Sequence, residues 1–182
     1  MGSAGCASAQ VLAAAPVALV LAPTDEPGPG IKRFVLEDQD NWPLPPFRPG
    51  AHIDVHLAPG LVRTYSLCNE PADRRRYVIA VKREDAGRGG SRHMHRALRP
   101  GDKVGVSLPR GAIDAHPSAM NVFVAGGVGV TPFISAVRDL ELAGRDPRAV
   151  VDREAVVGLF ALARDDRGSA AQDLEREGLD AE

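Results

Sequence analysis

Arg63, Thr64, Tyr65 and Ser66 place a cation, a flat phenol and two hydroxyls at the end of an apolar stretch, in the run RTYSLCN. Arg63 can offer a charge-assisted fork to a phosphate. Tyr65 gives a face for stacking on a ring. Ser66 can exchange a hydrogen bond with a ring heteroatom. If the run is an extended strand, Arg63 and Tyr65 project to one side and Thr64 and Ser66 to the other. A twist or bulge is then expected to bring Ser66 into the same site. The plain alternative is a polar strand end with Tyr65 packed in a core.

Two glycine turns downstream carry compatible chemistry. Gly126-Gly127-Val128-Gly129-Val130-Thr131-Pro132 follows an apolar run and precedes a helical pattern. Glycines there let the backbone approach a pyrophosphate, and the helix N-terminus supplies free N–H groups and a favourable dipole. Thr131 is expected to cap that helix, with Pro132 in its first turn. The spacing is not G-x-G-x-x-G, and a tight turn without a ligand is the alternative. Gly87-Arg88-Gly89-Gly90-Ser91-Arg92 also opens a helical pattern, with Ser91 at its first turn; a loop with an ordinary cap explains it equally well.

These residues need elements to hold them. Between Val17 and Leu108 short apolar runs alternate with turn residues, as in HIDVHL, YVIAV and GDKVGVSLPRG. That pattern predicts half-buried strands, HIDVHL and YVIAV among them, in a small antiparallel β-barrel of six strands. TDEPGPG reads as a turn between the first two strands, and SRHMHRALR, Ser91–Arg99, as a helix stopped by Pro100-Gly101. After Pro117 the pattern changes. MNVFVA predicts a buried parallel strand. FISAVRDLELAG predicts a helix with Phe133, Val137 and Leu140 on one face and Gly144 as its stop. AVVGLFALA and SAAQDLEREG then predict a second strand and helix, the β-α-β-α order of a partial Rossmann-like α/β unit. The expected division is a leader at 1–15, a barrel at 16–116 and a partial nucleotide-binding unit at 117–182.

Composition narrows the function classes. Among 182 residues, 44% are hydrophobic and 25% charged, which predicts a packed core. The formal net charge of -2 and the 4% aromatic content argue against a nucleic-acid surface. Two cysteines, Cys6 and Cys68, are too few for a disulfide framework or an iron–sulfur cluster, and point to a reducing cytoplasm. VLAAAPVALVLA is too short to span a membrane and lacks a basic flank. His52, His93, His95 and His116 are not spaced as metal ligands, so no metal site is expected. Cys68 reads as a small packed residue.

RTYSLCNEP, YVIAVKRE, GRGGSRHMH, GDKVGVSLPRG and AGGVGVTPF, in this order, resemble the ferredoxin–NAD(P) reductase superfamily, most closely its phthalate dioxygenase reductase branch. The resemblance covers roughly Val17 to Leu142. It implies a flavin-binding barrel followed by a nucleotide domain, passing electrons from NADH through FMN to an iron–sulfur or Rieske oxygenase partner. Arg63 would hold the FMN phosphate, with Gly89, Gly90 and Ser91 at the helix start. Tyr65 would stack on the ring and Ser66 would lie near its reactive nitrogen. Thr64, Ala80, Val81 and Lys82 would line the flavin. Thr131 would stand beside it, with Gly126, Gly127 and Gly129 at the nucleotide pyrophosphate. No catalytic acid or nucleophile is implied, because the cofactor carries the chemistry. The Gly-Gly-Ser form favours FMN over FAD. The chain lacks a C-x4-C-x2-C run for the [2Fe–2S] domain that the branch normally adds. An FAD-type reductase and a truncated flavin-binding remnant without turnover are the other two readings.

Overall fold

A computed structural model describes residues 17–58, 60–115, 121 and 123–144. The strands are β1 (Val17–Leu21), β2 (Asp25–Gly28), β3 (Ile31–Glu37), β4 (His52–Ala58), β5 (Leu61–Ser66), β6 (Arg76–Lys82) and β7 (Lys103–Val106). Helix α1 (Gly90–Ala97) lies between β6 and β7. A 3-10 turn (Gly127–Val130) leads into α2 (Thr131–Leu142).

All strand pairings are antiparallel, and the order is β2-β3-β1-β7-β4-β5, with β6 also on β3. Side chains alternate across a strand, so one face collects Leu19, Leu21, Phe34, Leu36, Ile53, Val55, Ile79, Val81, Val104 and Val106 in a single core. Helix α1 plugs that core with Met94, which is fully buried; sequestering such a side chain stabilises by roughly 1.5–3 kcal/mol.

Six strands make the expected barrel circuit, but the described pairings do not close it. β5 and β6 approach each other without forming a ladder. Instead, the chain just beyond β5 spans the seam. Cys68 N–H donates to the Val78 carbonyl (2.8 Å), and Val78 N–H donates to Asn69 Oδ1 (3.0 Å). Below this staple the seam opens.

Three expectations from sequence need correction. TDEPGPG is not only a turn: Asp25–Gly28 forms β2, held to β3 by a two-pronged Arg33–Asp25 pair (2.8 and 2.7 Å). β6 is not half-buried, because Tyr77 to Val81 are all buried. Its second face, Val78 and Ala80, packs with Cys68 under Val130 and Ile134, so α2 covers what alternation left for solvent. The described residues of MNVFVA depart from the expected buried strand: Asn121 and Phe123–Ala125 carry no strand and Val124 is 78% exposed, while Met120 and Val122 lie outside the described residues. No strand among the described residues pairs with it. Helix α2 does present Phe133, Val137 and Leu140 to one cluster, with Phe123 and Ala136. AVVGLFALA, SAAQDLEREG and the expected division between 116 and 117 lie outside the described residues. No described helix is long and apolar enough to cross a membrane.

Candidate functional site

The open seam is a cavity of about 460 Å³, within the range of roughly 300–1,000 Å³ usual for small-molecule sites. Thr64, Tyr65 and Ser66 line it from β5, and Ala80, Val81 and Lys82 from β6. Glu84 and Ser91 border it near α1, and Val128, Gly129, Thr131 and Pro132 at the start of α2. The register of β5 on β4 is regular from Thr64 to Ser66, opposite Asp54, Ile53 and His52. Of the expected twist or bulge, the bulge is therefore absent there. Ser66 reaches the site because β5 has an unpaired edge, which brings residues of both faces to the same opening. Antiparallel alternation, fixed by the Cys68–Val78 bond, also turns the backbone groups of Ala80 and Lys82 toward the seam.

Arg63 lies beside the cavity lining, at the first turn of α1. Its guanidinium donates to the carbonyls of Val62 (2.8 Å) and Arg88 (2.9 Å). Gly90 makes this possible: a Cβ there would sit 2.6 Å from Arg63 Cγ. Gly89, at φ +84°, turns the chain into the helix, and no side chain caps the helix start. Ser91 Oγ instead accepts from Glu84 N–H (3.0 Å), tying the helix to the loop after β6.

Thr64 lines the cavity, but its hydroxyl donates to Asp54 Oδ1 (2.6 Å). The Asp54 carboxyl is held below the usual carboxylate range, first by the Arg110 hydrogen bond and then by Thr64, against some desolvation. Tyr65 is half-buried and packs against the core. Desolvation raises its phenol pKa, and the Arg63 charge only partly offsets that. Tyr65 thus packs against the core as in the plain reading and also lines the cavity.

At the second glycine turn, Gly127 adopts φ +53°, which favours glycine. A Cβ on Gly126, Gly127 or Gly129 would meet nothing within 4 Å. Among the described residues, packing therefore does not require these three glycines to lack side chains, whereas close approach of a ligand would. Gly129 lines the cavity, while Gly126 and Gly127 lie outside its lining. Thr131 does not cap α2 as expected. It is the first helical residue, and its hydroxyl donates backward to the Val128 carbonyl (3.0 Å).

Sequence reasoning missed Glu84, Val128 and Pro132 as lining residues. Val128 and Pro132 sit inside a motif read for its glycines. Glu84 was signalled only by standing two residues beyond Lys82. A larger groove of about 650 Å³ lies near Asn41, Asn69 and Arg74–Arg76. There Arg76 pairs with Asp73 (2.8 Å) and Arg74 donates to the Leu44 carbonyl (3.1 Å), so these cations serve the fold.

Cys68 stands behind the cavity, with Sγ toward the carbonyls of Ser66 (3.6 Å) and Thr131 (3.8 Å). Burial pushes its thiol up to about 12. The thiol therefore stays protonated at ordinary pH, and the thiol form is the unreactive one. In a Cys6→Ser protein, Cys68 is expected to resist a disulfide-exchange reagent until denaturant is added. Rapid native labelling would overturn that assignment.

No family model matches the chain. It is 44% identical over 139 residues to phthalate dioxygenase reductase of Burkholderia cepacia, covering 75% of this chain and 40% of that protein. It is 43% identical over 108 residues to vanillate O-demethylase oxidoreductase of Acinetobacter baylyi, covering 59% of this chain and 34% of that protein. Among solved structures, one of phthalate dioxygenase reductase superposes with a TM-score of 0.74 at 40% identity, covering 82% of this chain and 48% of the other. That structure is described as a modular one for electron transfer from pyridine nucleotides to [2Fe–2S]. The chain thus spans less than half the length of these relatives.

Proposed function

This chain is a relative of the phthalate dioxygenase reductases, and we propose from that premise that residues 16–116 hold FMN at the open barrel seam. Residues 117–182 would then contribute to the nicotinamide side, and the pair would form part of an NADH-dependent oxygenase reductase in a reducing cytoplasm. The observation that carries this reading is the convergence of three distant segments on one opening. Arg63 and the uncapped start of α1 supply positive potential at one end. Tyr65 supplies a ring-sized face, and Gly129, whose Cβ space is open among the described residues, borders the opening at the start of α2.

The donor set suits a phosphorylated ring. Arg63 and the Gly89–Ser91 backbone would take the phosphate. The edge groups of Ala80 and Lys82 would meet the polar rim of the ring, and Tyr65 and Ser66 would border its reactive part. Thr131 and Gly129 would leave room for a nicotinamide to approach. A flavin, when bound, accepts a hydride and releases electrons one at a time. The chain's own work is to orient the reactants, exclude water and supply positive charge through Arg63 and Lys82. The electron acceptor would be an iron–sulfur or Rieske oxygenase protein.

The test is anaerobic addition of NADH to FMN-loaded protein. Bleaching of the visible flavin band is expected, and denaturation should release FMN. Release of FAD would favour the wider FAD-dependent class. Tight FMN binding without bleaching would mark a flavin-binding remnant without turnover.

A further inference from the structure

His95 lies on the last turn of α1, is itself outside the cavity lining, and bonds into the strand that lines the cavity. Its Nε2 is 2.8 Å from the Val81 carbonyl. A carbonyl can only accept, so Nε2 carries the proton. The ring is half-buried with its edge toward Phe34 (centroids 6.2 Å apart, 72° between planes), which fixes its orientation from inside the core. Val81 lies between Ala80 and Lys82, whose backbone groups face the seam. The same helix begins at Gly90, against which Arg63 is laid. A second tie, Glu84 N–H to Ser91 Oγ, holds the near end of the connection. One short helix is thereby pinned at its last turn to β6 and at its first turn to the loop just after β6.

We propose that His95 is a positioning residue: its bond to Val81 fixes the distance between the α1 phosphate end and the Ala80–Lys82 edge. This rests on the flavin reading. A ligand gripped at two points gains most when the two grips are held at a fixed separation, because the second contact is then effectively intramolecular. Without the bond, α1 can shift against β6, and the phosphate grip no longer adds fully to the ring grip.

The readout is the preference for FMN over riboflavin, measured by titrating both into wild-type, His95→Leu and His95→Gln proteins. Loss of the bond in His95→Leu is expected to reduce that preference about tenfold. His95→Gln keeps an N–H donor and should stay within about twofold of wild type. A role in folding alone would weaken both flavins equally, and an unchanged preference in His95→Leu overturns the proposal. Should His95→Leu fail to fold, the ¹⁵N-labelled imidazole of the wild type gives the answer. Its Nε2–H signal should shift on adding FMN and much less with riboflavin; equal shifts overturn the proposal. Wild-type protein that binds neither flavin overturns the underlying reading instead, and this proposal with it.

Discussion

Arg63→Ala is expected to lower FMN affinity by about 10–100-fold while leaving riboflavin affinity within about threefold. The range corresponds to roughly 1.5–3 kcal/mol, typical of hydrogen bonds to a charged group. Arg63 sits at the edge of β5 and is steered by two backbone carbonyls, Val62 and Arg88, to the first turn of α1. A guanidinium has five donors, so those two bonds leave others for an anion. The neighbouring helix start adds its own partial positive charge. Removing the cation should therefore cost only the phosphate contact. Equal losses for FMN and riboflavin would show that Arg63 shapes the site and does not hold a phosphate.

Phe34→Ala should destabilise the protein by about 3–5 kcal/mol, the usual cost of deleting a buried aromatic ring. Phe34 is completely buried at the centre of β3, pairs opposite Ile79 of β6, and meets the His95 ring in a T-shaped contact. Lys32 Nζ also stands 5.4 Å from its ring centroid. A small domain has only about 5–15 kcal/mol in total, so the loss would take away much of it. Denaturant unfolding of the FMN-free protein is the measurement. A cost under about 1 kcal/mol would mean that the barrel can collapse into the space. FMN should recover part of the stability, because a ligand bound only to the folded state adds to it.

Much of the site was legible because its chemistry is local. Arg63 to Ser66 fall in one run, and each glycine turn falls within a few residues of the helix it opens. The core strands were legible for the same reason: Ile53 and Val55, or Val104 and Val106, alternate with exposed or half-buried neighbours. What misled was any feature set by a distant partner. Asp25–Gly28 became a strand because Arg33 grips Asp25. Thr64 does line the cavity, but Asp54 of the neighbouring strand takes its hydroxyl. Thr131 was read as a cap from its place before Pro132, yet the 3-10 turn offered the Val128 carbonyl first.

The sequence by itself determined the antiparallel strands, the two glycine-led helix starts and the set of polar residues between them. Those follow from side-chain alternation, turn conformations and helix-end chemistry, which act over a few residues. Only the tertiary structure decided that β5 and β6 stay unpaired below the Cys68–Asn69 staple, which makes an opening where sequence alternation implied a closed wall. It also decided that α2 covers the outer face of β6 and that His95 reaches back to Val81. The physical reason is that these contacts join segments separated along the chain, and their gain appears only once the core has brought the segments together.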